Sequence, residues 1–299
     1  MSYAVVTDTS GNLLNQHIRK YDLKVIPFSY FMEEEERTCL DTDAFEGERF
    51  YSLLGKGMRV TTSQITPKRY AEYFTPILEE GKDILYVSMS SGISGSCDSS
   101  RIGAEIALES FPERRIEVID TLGASLGEGL VAIRAAKFRD QGTDLDTAVR
   151  ELKAYSQRML NIFTVDDLMF LKRGGRLSNL AAAVGTVLHI KPLLKGSDSG
   201  KIVAFAKVRG RRKAIESLAG EYDRFVRDPE KQMIGIAHAG CRQDAEKLAE
   251  LIRRLRPPKE ILIADYEPVT GSHVGPGALA LFFESFPGIR KADLSVSPV

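Results

Sequence analysis

Apolar runs of strand length recur at residues 3–6, 24–28, 84–87, 116–119 and 161–165, with helix-period segments between most of them. Short apolar runs alternating with amphipathic helices mark strands buried on both faces, so the pattern predicts an α/β unit with a mainly parallel sheet. The segment 67–79 opens with Pro67, suited to a first helical turn, and carries Tyr70, Tyr73, Phe74 and Ile77 on one face, with Pro76 expected to kink its end. Helices are predicted likewise over 126–138, with Leu126, Leu130 and Ile133 aligned, and over 144–155, capped by Thr143 or Asp144. A second series begins near Met159: helices through 168–171 and 179–188, then strands at 202–208, 233–237 and 261–264 separated by helices over 213–225 and 244–255. The expected architecture is two α/β domains, 1–160 and 161–299, with a cleft between them. The acidic run Glu33 to Glu36 is expected to be a solvated turn between two strands.

The strand-like run 84–87 is followed closely by Ser90-Ser91-Gly92-Ile93-Ser94-Gly95 and then by a helix-like segment carrying Ile102 and Ile106. A strand that empties through small hydroxyl residues into a helix N-terminus offers unpaired N–H groups, a favourable dipole and close backbone approach to a carboxylate or phosphate. Taken alone, the six residues are better explained by Ser94 acting as an ordinary helix cap, so other segments have to decide. Two such segments, Thr62-Ser63-Gln64 and His273-Val274-Gly275-Pro276-Gly277, add hydroxyls, an imidazole and a Gly-Pro-Gly turn that would fix the direction of His273. None supplies a strong nucleophile with an evident base, and such groups bind an anion better than they cleave a bond.

Composition narrows the partner. With 41 Lys and Arg against 41 Asp and Glu, the chain carries no net field to attract nucleic acid or an anionic membrane, so a small or locally recognised ligand is expected. Cys39, Cys97 and Cys241 are odd in number and widely spaced, which argues against a disulfide framework or a zinc site and for a reduced, cytoplasmic protein. No export signal and no run of about 20 apolar residues is evident.

Enzyme motifs fit poorly. Gly92-Ile93-Ser94-Gly95-Ser96 resembles a nucleophile elbow, but its last position is Ser96, the strand lies too far back, and only His189, His238 and His273 follow. Gly127 to Ala132 matches Gly-x-Gly-x-x-Ala but starts well after the strand and inside a helical pattern, where small residues serve close packing. A phosphate-cradling loop and a carboxylate cluster with metal spacing are both missing from the sequence, so no metal or cofactor is expected. A small-molecule kinase-like enzyme or a hydrolase using the same anion loops remains the alternative to a binding protein.

Seven short motifs occur in an order that resembles the DegV family of fatty acid-binding proteins. They are Thr7-Asp8-Thr9, Thr62-Ser63-Gln64, Ser90 to Gly95, Val118-Ile119-Asp120-Thr121, Leu171-Lys172-Arg173-Gly174-Gly175-Arg176, Lys191-Pro192 and His273 to Gly277, and together they span nearly the whole chain. The resemblance implies two domains holding one long-chain fatty acid between them and presenting it to a separate fatty acid kinase that makes acyl phosphate, with no catalysis by the carrier itself. On the same resemblance, Thr62, Ser94 and His273 would contact the carboxylate, backed by Ser63 and the Gly95 amide. Arg173, Arg176, Lys207, Arg209 and Arg211 would lie toward the mouth, where the kinase docks and acyl phosphate charge is met. The chain departs from the family pattern at Thr9, where Ser is usual, and at Cys97 and Asp98, which replace an aromatic and an amide; Cys97 is expected to reshape the tunnel near the head group.

Overall fold

In a computed structural model that describes residues 3–177, 190–292 and 294, the expected alternation of strands and helices is present. The first part of the chain contains β1 (Tyr3–Asp8), α1 (Asn15–Lys20), β2 (Lys24–Ile26), β3 (Ser29–Met32), β4 (Glu35–Thr38), α2 (Gly47–Gly55) and β5 (Val60–Ser63). It continues through α3 (Pro67–Glu79), β6 (Asp83–Ser88), α4 (Ser96–Leu108), β7 (Ile116–Asp120), α5 (Leu126–Asp140) and α6 (Leu145–Arg158). Strands β2, β1, β6 and β7 form a sheet in that order, parallel throughout, and β1 and β6 are buried on both faces as their unbroken apolar runs require.

A separate antiparallel sheet, β4-β3-β5, was legible only at its turn. Glu33 and Glu34 both adopt positive φ (50° and 67°), the two-residue geometry that suits the twist of a hairpin, and Glu35 and Glu36 belong to β4 rather than to the turn.

After α6 come β8 (Met159–Thr164), α7 (Met169–Arg173), β9 (Ile190–Gly196), β10 (Ile202–Arg209), α8 (Arg211–Phe225) and β11 (Met233–His238). The last elements are α9 (Arg242–Leu255), β12 (Glu260–Asp265), α10 (Pro268–Val274) and β13 (Leu279–Glu284). The helix expected over 179–188 lies outside the described residues. The second sheet runs β10-β9-β8-β13-β11-β12, with β11 and β12 its parallel pair and the other neighbours antiparallel. Period-two alternation divides β8 cleanly. Leu160 and Ile162 join a core under α8 and α9, whereas Met159 and Phe163 join the core that also holds α5 and the first sheet.

One expected helix face is corrected, and a second helix buries a face of small residues. In α3 the buried positions are Tyr70, Ala71, Phe74 and Leu78, leaving Tyr73 at the surface. In α4, Ile102 and Ile106 are 49% and 44% exposed, because the helix turns its small face inward. A Cβ on Gly103 would stand 2.5 Å from the Tyr70 Cβ and 2.7 Å from the Pro67 carbonyl oxygen, so close contact with α3 requires the glycine side. The Asp144 side chain caps α6 by accepting from the Thr147 N–H at 2.9 Å, one of the two caps expected.

Candidate ligand-binding site

The ends of several of these elements meet around one cavity of about 1030 Å³, open mouth included. Strand β5 delivers Thr62, Ser63 and, just beyond it, Gln64; the loop after β6 delivers Met89, Ile93, Ser94 and Gly95; α10 delivers Val269, Thr270, His273 and Val274. Phe28, Phe163, Leu171, Ile202 and Phe282 complete a largely apolar wall.

Polar groups gather at one part of that wall. The Thr62 hydroxyl and the His273 Nε2 lie 2.9 Å apart and share a hydrogen bond. Ser94 Oγ accepts from the Ser96 N–H at 3.2 Å and donates to Ser96 Oγ at 3.1 Å, so it does serve the start of α4, although the N-cap residue itself is Gly95. Gly95 lies against the end of the Gln64 side chain, so a Cβ there would push the Gln64 amide aside.

His273 is held from both sides. Glu267 caps α10, its carboxylate accepting from the N–H groups of Val269 (2.7 Å) and Thr270 (2.6 Å) and from the Thr270 hydroxyl (2.7 Å), and burial pushes its carboxyl up to about 7. Gly174 lies against the imidazole so closely that a Cβ would stand 2.4 Å from Nδ1, and Gly175 follows with φ +68°. The Gly-Gly pair of the Arg173–Arg176 turn is thereby explained by a close approach and a left-handed turn. From that turn the Arg176 Nε donates to the Ile93 carbonyl oxygen at 3.1 Å, joining the second part of the chain to the Ser-Gly loop. Burial, assisted by the Arg176 charge, pushes the His273 imidazole down to about 4, so the ring is neutral at pH 7.

Of the residues expected at the site, Thr62, Ser63, Ser94, Gly95, His273 and Arg176 line the cavity, while Arg173, Lys207 and Arg209 do not. Arg173 is exposed, its guanidinium 5.9 Å from the Phe170 ring centre, and Lys207 and Arg209 are exposed on β10. Arg211 is engaged by Asp244 at 2.8 Å and Asp166 at 3.4 Å. The expectation for Cys97 is also corrected. It is fully buried and outside the cavity lining, and burial pushes its thiol up to about 11, so it does not shape the tunnel.

The Thr7-Asp8-Thr9 motif lies behind the cavity wall rather than in it. Asp8 accepts from the Tyr86 hydroxyl at 2.6 Å and the Ser10 N–H at 2.9 Å; Glu128 accepts from the hydroxyls of Ser10 at 2.7 Å and Thr7 at 3.0 Å. Burial pushes the Asp8 carboxyl up to about 6 and Glu128 upward as well. Thr9 accepts from the Phe28 N–H at 3.0 Å, which fixes a cavity-wall residue through the backbone. Gly127 and Gly129 sit against Phe282 and the Gly11 carbonyl oxygen, the close packing expected of a false dinucleotide fingerprint.

A hydrolytic reading finds no support in this geometry, since His273 engages Thr62 rather than Ser94, and His238 is buried beside Asp265 at 3.1 Å. His189 lies outside the described residues. Among the described residues, no group of three or more His, Cys, Asp or Glu could hold a metal ion, and no helix is long and apolar enough to cross a membrane. The segments 122–125 and 196–200, which form a further wall of the cavity, escaped sequence reasoning. Leu122 and Ser125 have positive φ (54° and 56°) in residue types that do not announce it.

A family model described as an uncharacterised protein of the DegV family matches residues 2–285. A DegV domain-containing protein of Clostridium perfringens is 37% identical over 281 residues, covering 94% of this chain and 97% of the relative. Another from Lactococcus lactis is 31% identical over 282 residues, with coverage of 94% and 97%. Among solved structures, one described as fatty acid binding of a DegV family protein from Thermus thermophilus matches with a TM-score of 0.85 at 26% identity, covering 96% of this chain and 100% of that one. A structure described as a fatty acid binding DegV family protein from Streptococcus agalactiae matches with a TM-score of 0.82 at 27% identity, covering 95% and 99%.

Proposed function

The chain belongs to the DegV family, and from that membership we propose that it holds one long-chain fatty acid and presents the carboxylate to a separate fatty acid kinase for acyl phosphate formation. The observation that carries this reading is a large, mostly apolar cavity with Thr62, Ser94, His273 and Arg176 as a polar cluster in its wall. An amphiphile with one anionic end and a long hydrocarbon chain matches that division, and the similar solved structures from Thermus thermophilus and Streptococcus agalactiae are described as fatty acid binding. Thr62 and Ser94 donate hydroxyl hydrogen bonds to the carboxylate, His273 adds a third contact, and Ser63 and the Gly95 amide stand in support. In this reading the chain divides near residue 160 into two domains that close on the ligand, it acts in the cytoplasm, and it catalyses nothing itself. Arg173, Arg176, Lys207 and Arg209 supply the positive surface that the kinase and the acyl phosphate meet.

The test is mass spectrometry of an organic extract of the purified protein, since a lipid buried in such a cavity survives purification. A fatty acid at one equivalent per chain is the expected result. Protein that is empty and also fails to take up added fatty acids would overturn the reading in favour of a phosphorylated ligand at the same loops.

A further inference from the structure

One polar side chain in the cavity wall has no partner there. Asn161 stands on β8 opposite Phe282 of β13, on the strand face shared with Met159 and Phe163, and only 7% of it is exposed. Among the described residues its side chain makes no hydrogen bond. Its oxygen is fully shielded, pressed toward Gly127, where a Cβ would stand 2.4 Å away. Its nitrogen, the open end, faces Gly123, where a Cβ would come within 2.5 Å. Glycines thus make room for the amide without supplying it a partner. In the segment that carries those two glycines, Ser125 also lines the cavity; it is 1% exposed and its hydroxyl too is unpartnered.

Buried amides and hydroxyls are nearly always paired, because leaving one unpaired costs about 1–3 kcal/mol. A leucine at position 161 would finish an apolar tunnel without that cost. The carboxylate of the ligand does not resolve the matter, since its partners are Thr62, Ser94 and His273. The Asn161 oxygen and the Ser125 hydroxyl are both shielded, so what a ligand can reach is the open amide N–H of Asn161, and what pairs with it inside the cavity is an oxygen that accepts. We propose that Asn161, through its open amide N–H, is a specificity-determining site for an acyl-chain hydroxyl, so that the preferred ligand is a hydroxylated fatty acid rather than the plain acid of equal length. This rests on the fatty acid reading above and goes beyond it by naming the class of chain.

The experiment measures binding of palmitate and stearate against a positional series of their monohydroxylated forms, to delipidated protein and to Asn161→Leu. The expected result is that at least one hydroxylated acid binds the natural protein about tenfold more tightly than its parent, the worth of one well-placed hydrogen bond. Asn161→Leu is expected to abolish that preference and to tighten the plain acid. If plain acids bind at one equivalent and no hydroxylated isomer is preferred, the fatty acid reading stands and this inference falls; a water satisfying Asn161 would give that outcome. A preference that survives Asn161→Leu also overturns the assignment. Should the variant fail to fold, the series on the natural protein decides alone. If neither class of acid binds, both readings fall together.

Discussion

His273 carries two influences of the same sign, since burial and the Arg176 guanidinium both disfavour the imidazolium and bring its pKa to about 4. An anionic carboxylate brought beside Thr62 opposes both, so fatty acid binding is expected to raise the midpoint of the His273 ring resonances in an NMR pH titration. A midpoint that does not move on loading would place the carboxylate elsewhere. For stability, a base whose folded pKa is depressed from 6.5 costs the fold as pH falls from 6.5 toward 4. Asp8 works the other way: its carboxyl is raised from 3.8 to about 6, so its contribution is full below 3.8 and lost as pH rises through 6. The two windows overlap with opposite effects, which is why a residue-resolved titration is the cleaner readout than a global melt. At this scale the sequence singled out Thr62, Ser94 and His273 by residue type, and the fold brings all three to the lining of one cavity. The sequence could not separate Arg176 from Arg173, because the turn at Gly174 and Gly175 decides which of the two reaches Ile93. Nor did it point to Asn161, which sits in a run that reads simply as strand.

The elements were legible wherever apolar periodicity was strong, and their faces less so. In α4 the sequence draws attention to Ile102 and Ile106, yet the helix buries Gly103, Ala104 and Ala107, because close approach to α3 favours small side chains over large ones. Strands β4 and β5 were missed because they are short and mostly polar, and β3 because it is only four residues long; in β9 the apolar run is broken by Lys191, Pro192 and Lys195, while β13 is an apolar run that the sequence reading passed over. The loop from β9 to β10 depends on one glycine in particular. Gly200 has φ +72°, its carbonyl oxygen accepts from the Ser90 hydroxyl at 2.9 Å, and a Cβ would fall 2.0 Å from that same hydroxyl oxygen. Gly288 has φ +86° but nothing within 4 Å of a Cβ. Gly288→Ala is therefore expected to lose only the backbone preference, about 1 kcal/mol, and to leave lipid uptake unchanged. Gly200→Ala is expected to lose about 3 kcal/mol and to weaken uptake, since it also drives the Ser90 loop away from the cavity wall. Denaturant melts and lipid binding on the pair check this, and equal losses would mean that the loop contact contributes nothing.

Across the molecule, one core connects α5 to the four-stranded and the six-stranded sheets, and Arg290 fastens the cavity wall from behind. Its buried guanidinium donates to the carbonyl oxygens of Ser156, Met159, Leu122 and Ser197, holding the 122–125 segment against the loop that follows β9. A cavity walled in this way divides the work of binding on the proposed reading. Burying about 15 methylene and methyl groups at about 0.8 kcal/mol each gives roughly 12 kcal/mol gross, whereas each charge-assisted hydrogen bond to the carboxylate returns a net of about 1.5–3 kcal/mol. Retention therefore depends mainly on the chain, and the polar cluster determines where the carboxylate stands. Thr62→Ala and Ser94→Ala are expected to slow phosphorylation of the bound lipid by the kinase several-fold more than they raise its rate of loss, and equal effects on the two would refute that division. Arg173 neither lines the cavity nor makes an ion pair among the described residues, and its stacking on Phe170 leaves its charge at the surface. Arg173→Ala should accordingly retain lipid at one equivalent while slowing turnover with the kinase, more steeply at low salt than at high, because an exposed charge acts on a docking partner through a screened field. Turnover unchanged at every salt concentration would remove Arg173 from the docking surface and leave Lys207 and Arg209 on β10 as the cations to test.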